Sequence, residues 1–239
     1  MRALRSLPGD DHEQIGVSSN RFDVGAGCYQ LCDYVMARPP SIMDGLLQWQ
    51  EWIREPSPVP TIVRVALAHY QFEALHPFHD GNGRLGRLVM LLQLMAAGDL
   101  RYPVLNIAPW LEQRRTEYQD GLLRVSQTGR WDDWVSFIAA AIHAEALEVI
   151  DRVEKLLALR ESFRETLRGA KGVSRRIADD LIGYPMITVS LAASMYGVSY
   201  QAANTAIAKL VEKGILRQRT AGRYGRIFQS DSVLAVLEQ

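Results

Sequence analysis

HPFHDGNGRLGR, residues His76–Arg87, packs two histidines, an aspartate, three glycines, an asparagine and two arginines into twelve positions. Apolar sequence borders it on both sides. TIVRVALAHYQFEAL (Thr61–Leu75) runs in, and LVMLLQLMAA (Leu88–Ala97) runs out. Both flanks carry helical spacing on more than one face, the mark of helices inside a helical core. A mainly α protein with one polar loop between two buried helices is therefore expected.

The order of residues in that loop points to a polyphosphate. Gly81, Asn82 and Gly83 stand at the start of the second helix, where backbone N–H groups lack partners and the helix dipole is positive, an arrangement that binds anions. Glycines let a ligand approach the backbone, and Asn82 is expected to tolerate the unusual dihedrals of a tight loop. Arg84 and Arg87 are three apart, hence on one helical face, and two guanidinium forks suit several phosphates better than one carboxylate. Asp80 would repel that anion unless a cation lay between them, and Mg2+ characteristically uses one or two carboxylates together with phosphate oxygens. His76, one residue before Pro77, is expected in extended geometry, placed to deprotonate a hydroxyl. Phe78 has no polar role and is expected to plug the loop into the core. His69 reads as a core histidine. A transition-metal site at His76, His79 and Asp80 is the competing assignment, and it would leave the arginines and the glycine loop idle.

Outward from the loop, residues 1–40 are rich in Gly, Asp and Ser and read as loops or a short hairpin ending at Pro39-Pro40. MDGLLQWQEWIR (Met43–Arg54) is a helix broken by PSPVP, another helix starts near Pro109, and one long helix runs from Trp131 to about Leu167. RGAKGVSRR (168–176) reads as a hinge. Beyond it come a helix (Ser190–Met195), a turn at Gly197, a second helix (Ser199–Lys213) and two short strands about Ala221-Gly222, the order of a helix-turn-helix with a wing.

The chain has 239 residues and a formal net charge of zero, so any electrostatic function must be local. Its two cysteines, Cys28 and Cys32, make no disulfide framework and read as reduced and structural. No signal peptide and no run of membrane-spanning length is present in the sequence, so a cytoplasmic protein with no membrane partner is expected.

The dodecapeptide resembles the signature of the Fic/Doc family, HxFx(D/E)GNGRxxR, at every specified position. YQFEALHPF before it and PVLNIAPWLEQRRTEYQDGLL after it resemble the family's flanking helices, and the tail resembles that of Fic proteins ending in a winged helix, so the likeness covers roughly residues 8–228. The resemblance implies a Fic domain over 1–145 with a β-hairpin flap at about 10–34 and the active-site loop at 76–87. It also implies a long helix and linker over 146–180 and a winged helix-turn-helix over 181–239. In activity it implies transfer of AMP from ATP to a Ser, Thr or Tyr hydroxyl of a target protein. His76 would then be the base, Asp80 the Mg2+ ligand, and Gly81, Asn82 and Gly83 the anion hole. Arg84 and Arg87 would hold the β and γ phosphates, and Tyr118 would wall the adenine pocket. Gly83, where kinase relatives have lysine, favours nucleotidyl over phosphoryl transfer. UMP and phosphocholine transfer stay open, as does a nucleotide-sensing DNA regulator in place of an enzyme. The inhibitory (S/T)xxxE(G/N) helix of many relatives has no match in these 239 residues, so either the brake lies in a separate chain or segment or the enzyme is unrestrained, and the isolated chain is expected to be active.

Residues 184–239 carry six Lys and Arg against three acidic residues, with Arg223 and Arg226 at the wing. Duplex DNA is one partner such a wing would take. Tyr200, Gln201, Asn204 and Thr205 would be the base readers. Protein binding or a homodimer is the other reading of the tail.

Overall fold

A computed structural model describes residues 41–170, 172–220, 222 and 225–238. The expected flap, both cysteines and Arg223 lie outside them. The chain divides into two units after Leu147. Among the described residues the fold is mainly helical, as the sequence indicates, and no helix is long and apolar enough to cross a membrane.

In the first unit, α1 (Ser41–Arg54) ends ahead of the proline-rich turn, and α2 (Thr61–Leu75) starts immediately after Pro60. Arg64 of α2 donates to the carbonyls of Glu55 and Trp52, which satisfies acceptors that the end of α1 leaves orphaned. Trp49 of α1 donates through Nε1 to Ala68 O at 2.9 Å and seals α1 onto α2. The centre of α2 is fully buried at Val65, Ala66 and Ala68, as its apolar faces require.

α3 (Asn82–Ala96) packs along α2. Its buried positions, Asn82, Gly86, Met90 and Leu94, recur every fourth residue, while Leu85, Leu88 and Leu92 stay exposed. Apolar sequence all round the helix has therefore produced one buried stripe and one bare one. α4 (Ala108–Gln113) and α5 (Arg115–Thr128) replace the single helix expected from Pro109, and Gly129 in the left-handed region closes α5. α6 (Asp132–Thr166) opens with two aspartates in its first turn, where the helix dipole favours them. Near that start, Trp134 is 1% exposed and donates to Ala66 O at 2.8 Å.

The second unit contains the end of α6, α7 (Val173–Asp180), β1 (Met186–Thr188), α8 (Val189–Tyr196), α9 (Tyr200–Glu212), β2 (Arg217–Gln218), β3 (Ile227–Gln229) and α10 (Asp231–Leu237). The strands form an antiparallel sheet in the order β1-β3-β2, with Phe228 opposite both Ile187 and Gln218. Thr188 and Ser199 cap α8 and α9 by accepting from Leu191 N and Ala202 N. Residues 173–176, expected within a hinge, are instead the first turn of α7, which buries Ile177 and Ala178 in the unit's core. Arg164 and Arg160 of α6 hold Asp179 of α7 at 2.6 and 3.5 Å.

Candidate active site

The loop between α2 and α3 is built by two left-handed residues. His76 caps α2 at φ 43, ψ 57, its N–H donating to Phe72 O, and Gly81 caps the start of α3 at φ 89. The expected extended His76 is thus corrected. Completing the α2 cap outweighs the pre-proline preference, and His76 is the one positive-φ non-glycine residue among those described. Such a conformation is sparsely populated for a side chain other than glycine and is found where surrounding structure dictates it.

Asn82 takes no unusual dihedral; it is the first residue of α3. Its buried side chain accepts from Phe78 N at 3.0 Å and donates to Phe78 O, clamping the loop shut. Phe78 is 47% exposed rather than a core plug, because the Asn82 clamp holds its backbone and leaves the residue at the surface. No side chain caps α3, so its first-turn N–H groups face the loop. Asp80 accepts from Gly81 N at 2.7 Å through Oδ1 and pairs with Arg84 Nη2 at 2.9 Å through Oδ2. Both partners are exposed, so the pair is open to exchange with a ligand.

Arg84 and Arg87 border a cavity of about 290 Å³ whose walls include Leu88, Leu91, Leu105 and Ile107. Tyr118 is not among its lining residues. The Tyr118 ring instead packs against Trp134 and Phe137, and its hydroxyl lies 3.0 Å from His69 Nε2. His69 is buried as a core histidine, with its pKa lowered to about 3 by burial first and the Arg87 charge second. Burial also lowers His76, against a smaller opposing effect from the Glu73 backbone, so its imidazole is neutral at pH 7.

Glu73 was not singled out by the sequence reading, yet it lies buried one turn beyond His69 on α2 and faces α3. The spacing His69, Glu73, His76 along one helical face was the available signal. Gly86 makes the contact possible: a Cβ there would lie 2.8 Å from Glu73 Oε1 and 2.9 Å from two atoms of the His69 ring. Gly86→Ala is therefore expected to destabilise the protein by roughly 1–3 kcal/mol from overpacking, less about 1 kcal/mol of helix propensity. Denaturant unfolding checks it, and an unchanged midpoint would mean that α2 and α3 lie further apart.

Among the described residues no cluster of three His, Cys, Asp or Glu could hold a metal ion by itself. The exposed Asp80 carboxylate, beside uncapped N–H groups and two arginines, does suit a Mg2+ ion that draws its other ligands from phosphate and water.

With this geometry, residues 10–94 match the Fic/DOC family. Residues 10–94 therefore carry a Fic/DOC-family domain. It is 34% identical over 158 residues to a protein adenylyltransferase, fic-1, of Caenorhabditis elegans, covering 59% of this chain and 29% of that protein. It is 45% identical over 74 residues to the protein adenylyltransferase Fic of Aedes aegypti, covering 31% of this chain and 13% of that one. A probable protein adenylyltransferase of Aquifex aeolicus is 26% identical over 118 residues, 48% of this chain and 37% of the relative. The chain thus spans well under half the length of each of these relatives.

Proposed function

We propose that this Fic protein is an adenylyltransferase that moves AMP from ATP to a Ser, Thr or Tyr hydroxyl of a target protein, with release of pyrophosphate. The observation that carries the proposal is the placement of a neutral, part-buried His76 and an uncapped α3 N-terminus on one loop, with Arg84 and Arg87 on the helix that follows. The names of its relatives point the same way.

In this reading His76 takes the proton of the target hydroxyl. The hydroxyl oxygen attacks the α phosphorus, the bond to the α–β bridging oxygen breaks, and pyrophosphate departs. The backbone N–H groups of Gly81, Asn82 and Gly83 form the anion hole for the phosphates. Arg84, released from Asp80, and Arg87 hold the β and γ phosphates. Mg2+ on Asp80 would neutralise charge on the nucleotide phosphates. Tyr118 shares its hydroxyl with His69, so any wall it gives the nucleotide is its ring. We read 181–239 as a winged helix from its element order and sheet, with Arg226 held to Asn204 of α9 at 2.6 Å.

Incubation with ATP labelled at the α phosphate, with Mg2+ and a cell lysate, followed by mass spectrometry, tests the assignment. Protein-bound AMP supports it, and a reaction that leaves every protein without the α-phosphate label would refute it. Asp80→Ala is expected to abolish Mg2+-dependent labelling with the helical signal in circular dichroism intact; labelling that survives EDTA would remove Asp80 from the metal role.

A further inference from the structure

Beneath the first turn of α3 lies a polar cluster to which the transfer reaction assigns no part. Glu73 is 2% exposed, and its Oε1 has no hydrogen-bond partner among the described residues. That oxygen lies 4.0 Å from the point where Gly83 would carry a Cβ, and Arg87 Nη1 lies 3.1 Å from the same point. Gly83 and Gly86 are three apart on α3, so the missing side chains open a face through which a carboxylate on α2 reaches the backbone of α3. Arg87 has no ion-pair partner among the described residues. A buried carboxylate oxygen without a donor is costly and calls for an explanation, and a nearby cation supplies one.

We propose that Glu73 is a positioning residue for Arg87, the buried carboxylate whose charge decides how fully that guanidinium is available to a polyphosphate at the loop. The inference rests on the reading of the loop as a polyphosphate site.

Burial raises Glu73 to about 7 against the opposing charge of Arg87, so both of its charge states are populated near neutral pH. The groups facing it are Arg87 from α3, His69 from α2 and Tyr118 from α5. His69 stays neutral because its pKa is near 3, and Tyr118 because burial raises its pKa. His76, whose ring lies near the Glu73 backbone, titrates below its ordinary value of 6.5 because of burial. Through the neutral range, then, Glu73 is the member of the cluster that changes charge. Ionised, it attracts Arg87 and repels phosphate. A polyanion therefore binds better to the protonated form, and affinity falls as pH rises through the Glu73 pKa.

Calorimetric titration of the full chain with ATP and Mg2+, at several values from about pH 6 to about pH 8.5, tests this with the wild type, Glu73→Gln and Arg87→Ala. The nucleotide's own protonation cancels when two proteins are compared at one pH. Wild type and Glu73→Gln are expected to bind alike at the acid end. At the alkaline end the wild type should bind roughly three- to tenfold more weakly, the effect of a shift of half to one pKa unit. Arg87→Ala should bind weakly throughout, and its affinity should change less with pH than that of the wild type. Equal affinities of wild type and Glu73→Gln at every pH, with ATP bound, would overturn the role of Glu73 alone. Failure of the wild type to bind ATP at any pH would overturn both this inference and the polyphosphate reading beneath it. Should Glu73→Gln fail to fold, carbon NMR of the wild-type glutamate carboxyls decides: a buried carboxyl whose midpoint rises on adding ATP supports the role, and one that does not move refutes it.

Discussion

His76→Ala is expected to lower AMP transfer by roughly 10²- to 10⁴-fold, the usual contribution of a positioned general base, with ATP affinity little changed. The imidazole touches the reacting hydroxyl in the proposed step and the phosphates are held elsewhere, so the loss belongs to kcat. The acid limb of the wild-type pH profile gives a second check. His76 accepts a proton only when neutral, and burial lowers its pKa from 6.5, so activity should persist below pH 6.5 and fall at lower pH as the ring becomes protonated. His76→Gly separates chemistry from conformation. Glycine adopts φ 43 without the strain histidine bears, so this variant should be as stable as the wild type or more so while transfer is lost. Transfer within a few-fold of wild type in either variant would remove the base assignment.

That conformation also marks where sequence reading stopped. Pre-proline statistics predict extended backbone at His76, and nothing local reveals that α2 needs a left-handed cap whose N–H reaches Phe72 O. Phe78 went astray for a related reason. An aromatic ring in a loop suggests burial, yet the Asn82 side chain closes the loop by gripping the Phe78 backbone. The long helices were legible because α1, α2 and α6 carry sustained apolar periodicity. α7, β1 and α10 have eight residues or fewer, and their packing on neighbours rather than local pattern makes them regular. Within the site, the residues of the dodecapeptide could be found from spacing alone. For Glu73 the spacing with His69 and His76 marked only a shared helical face; its burial against α3 depends on the missing Cβ of Gly86 on another helix.

Trp134→Ala is expected to cost the first unit roughly 3–5 kcal/mol, the range for deleting a buried aromatic side chain, and so to lower its unfolding temperature by roughly 6–20 °C. The indole lies near ring contact with His69, Tyr70, Tyr118 and Phe137, with centroids 5.6 to 6.3 Å away, and its N–H spans from α6 to Ala66 O of α2. A void there is lined by His69 and Tyr118, which would lose the ring packed beside them. Trp134→Phe keeps most of the volume and removes the donor. Its cost should be nearer the roughly 0.5–1.5 kcal/mol of one hydrogen bond, since Ala66 O lies within helix α2 and keeps its helical partner. Thermal unfolding followed by circular dichroism, read beside ATP affinity, separates the two variants: Trp134→Ala should lose stability and affinity together, while Trp134→Phe retains affinity. A Trp134→Ala protein that unfolds within about 2 °C of wild type would mean that the indole does not bridge α6 and α2, and the buried floor placed here under the phosphate loop would have to be redrawn.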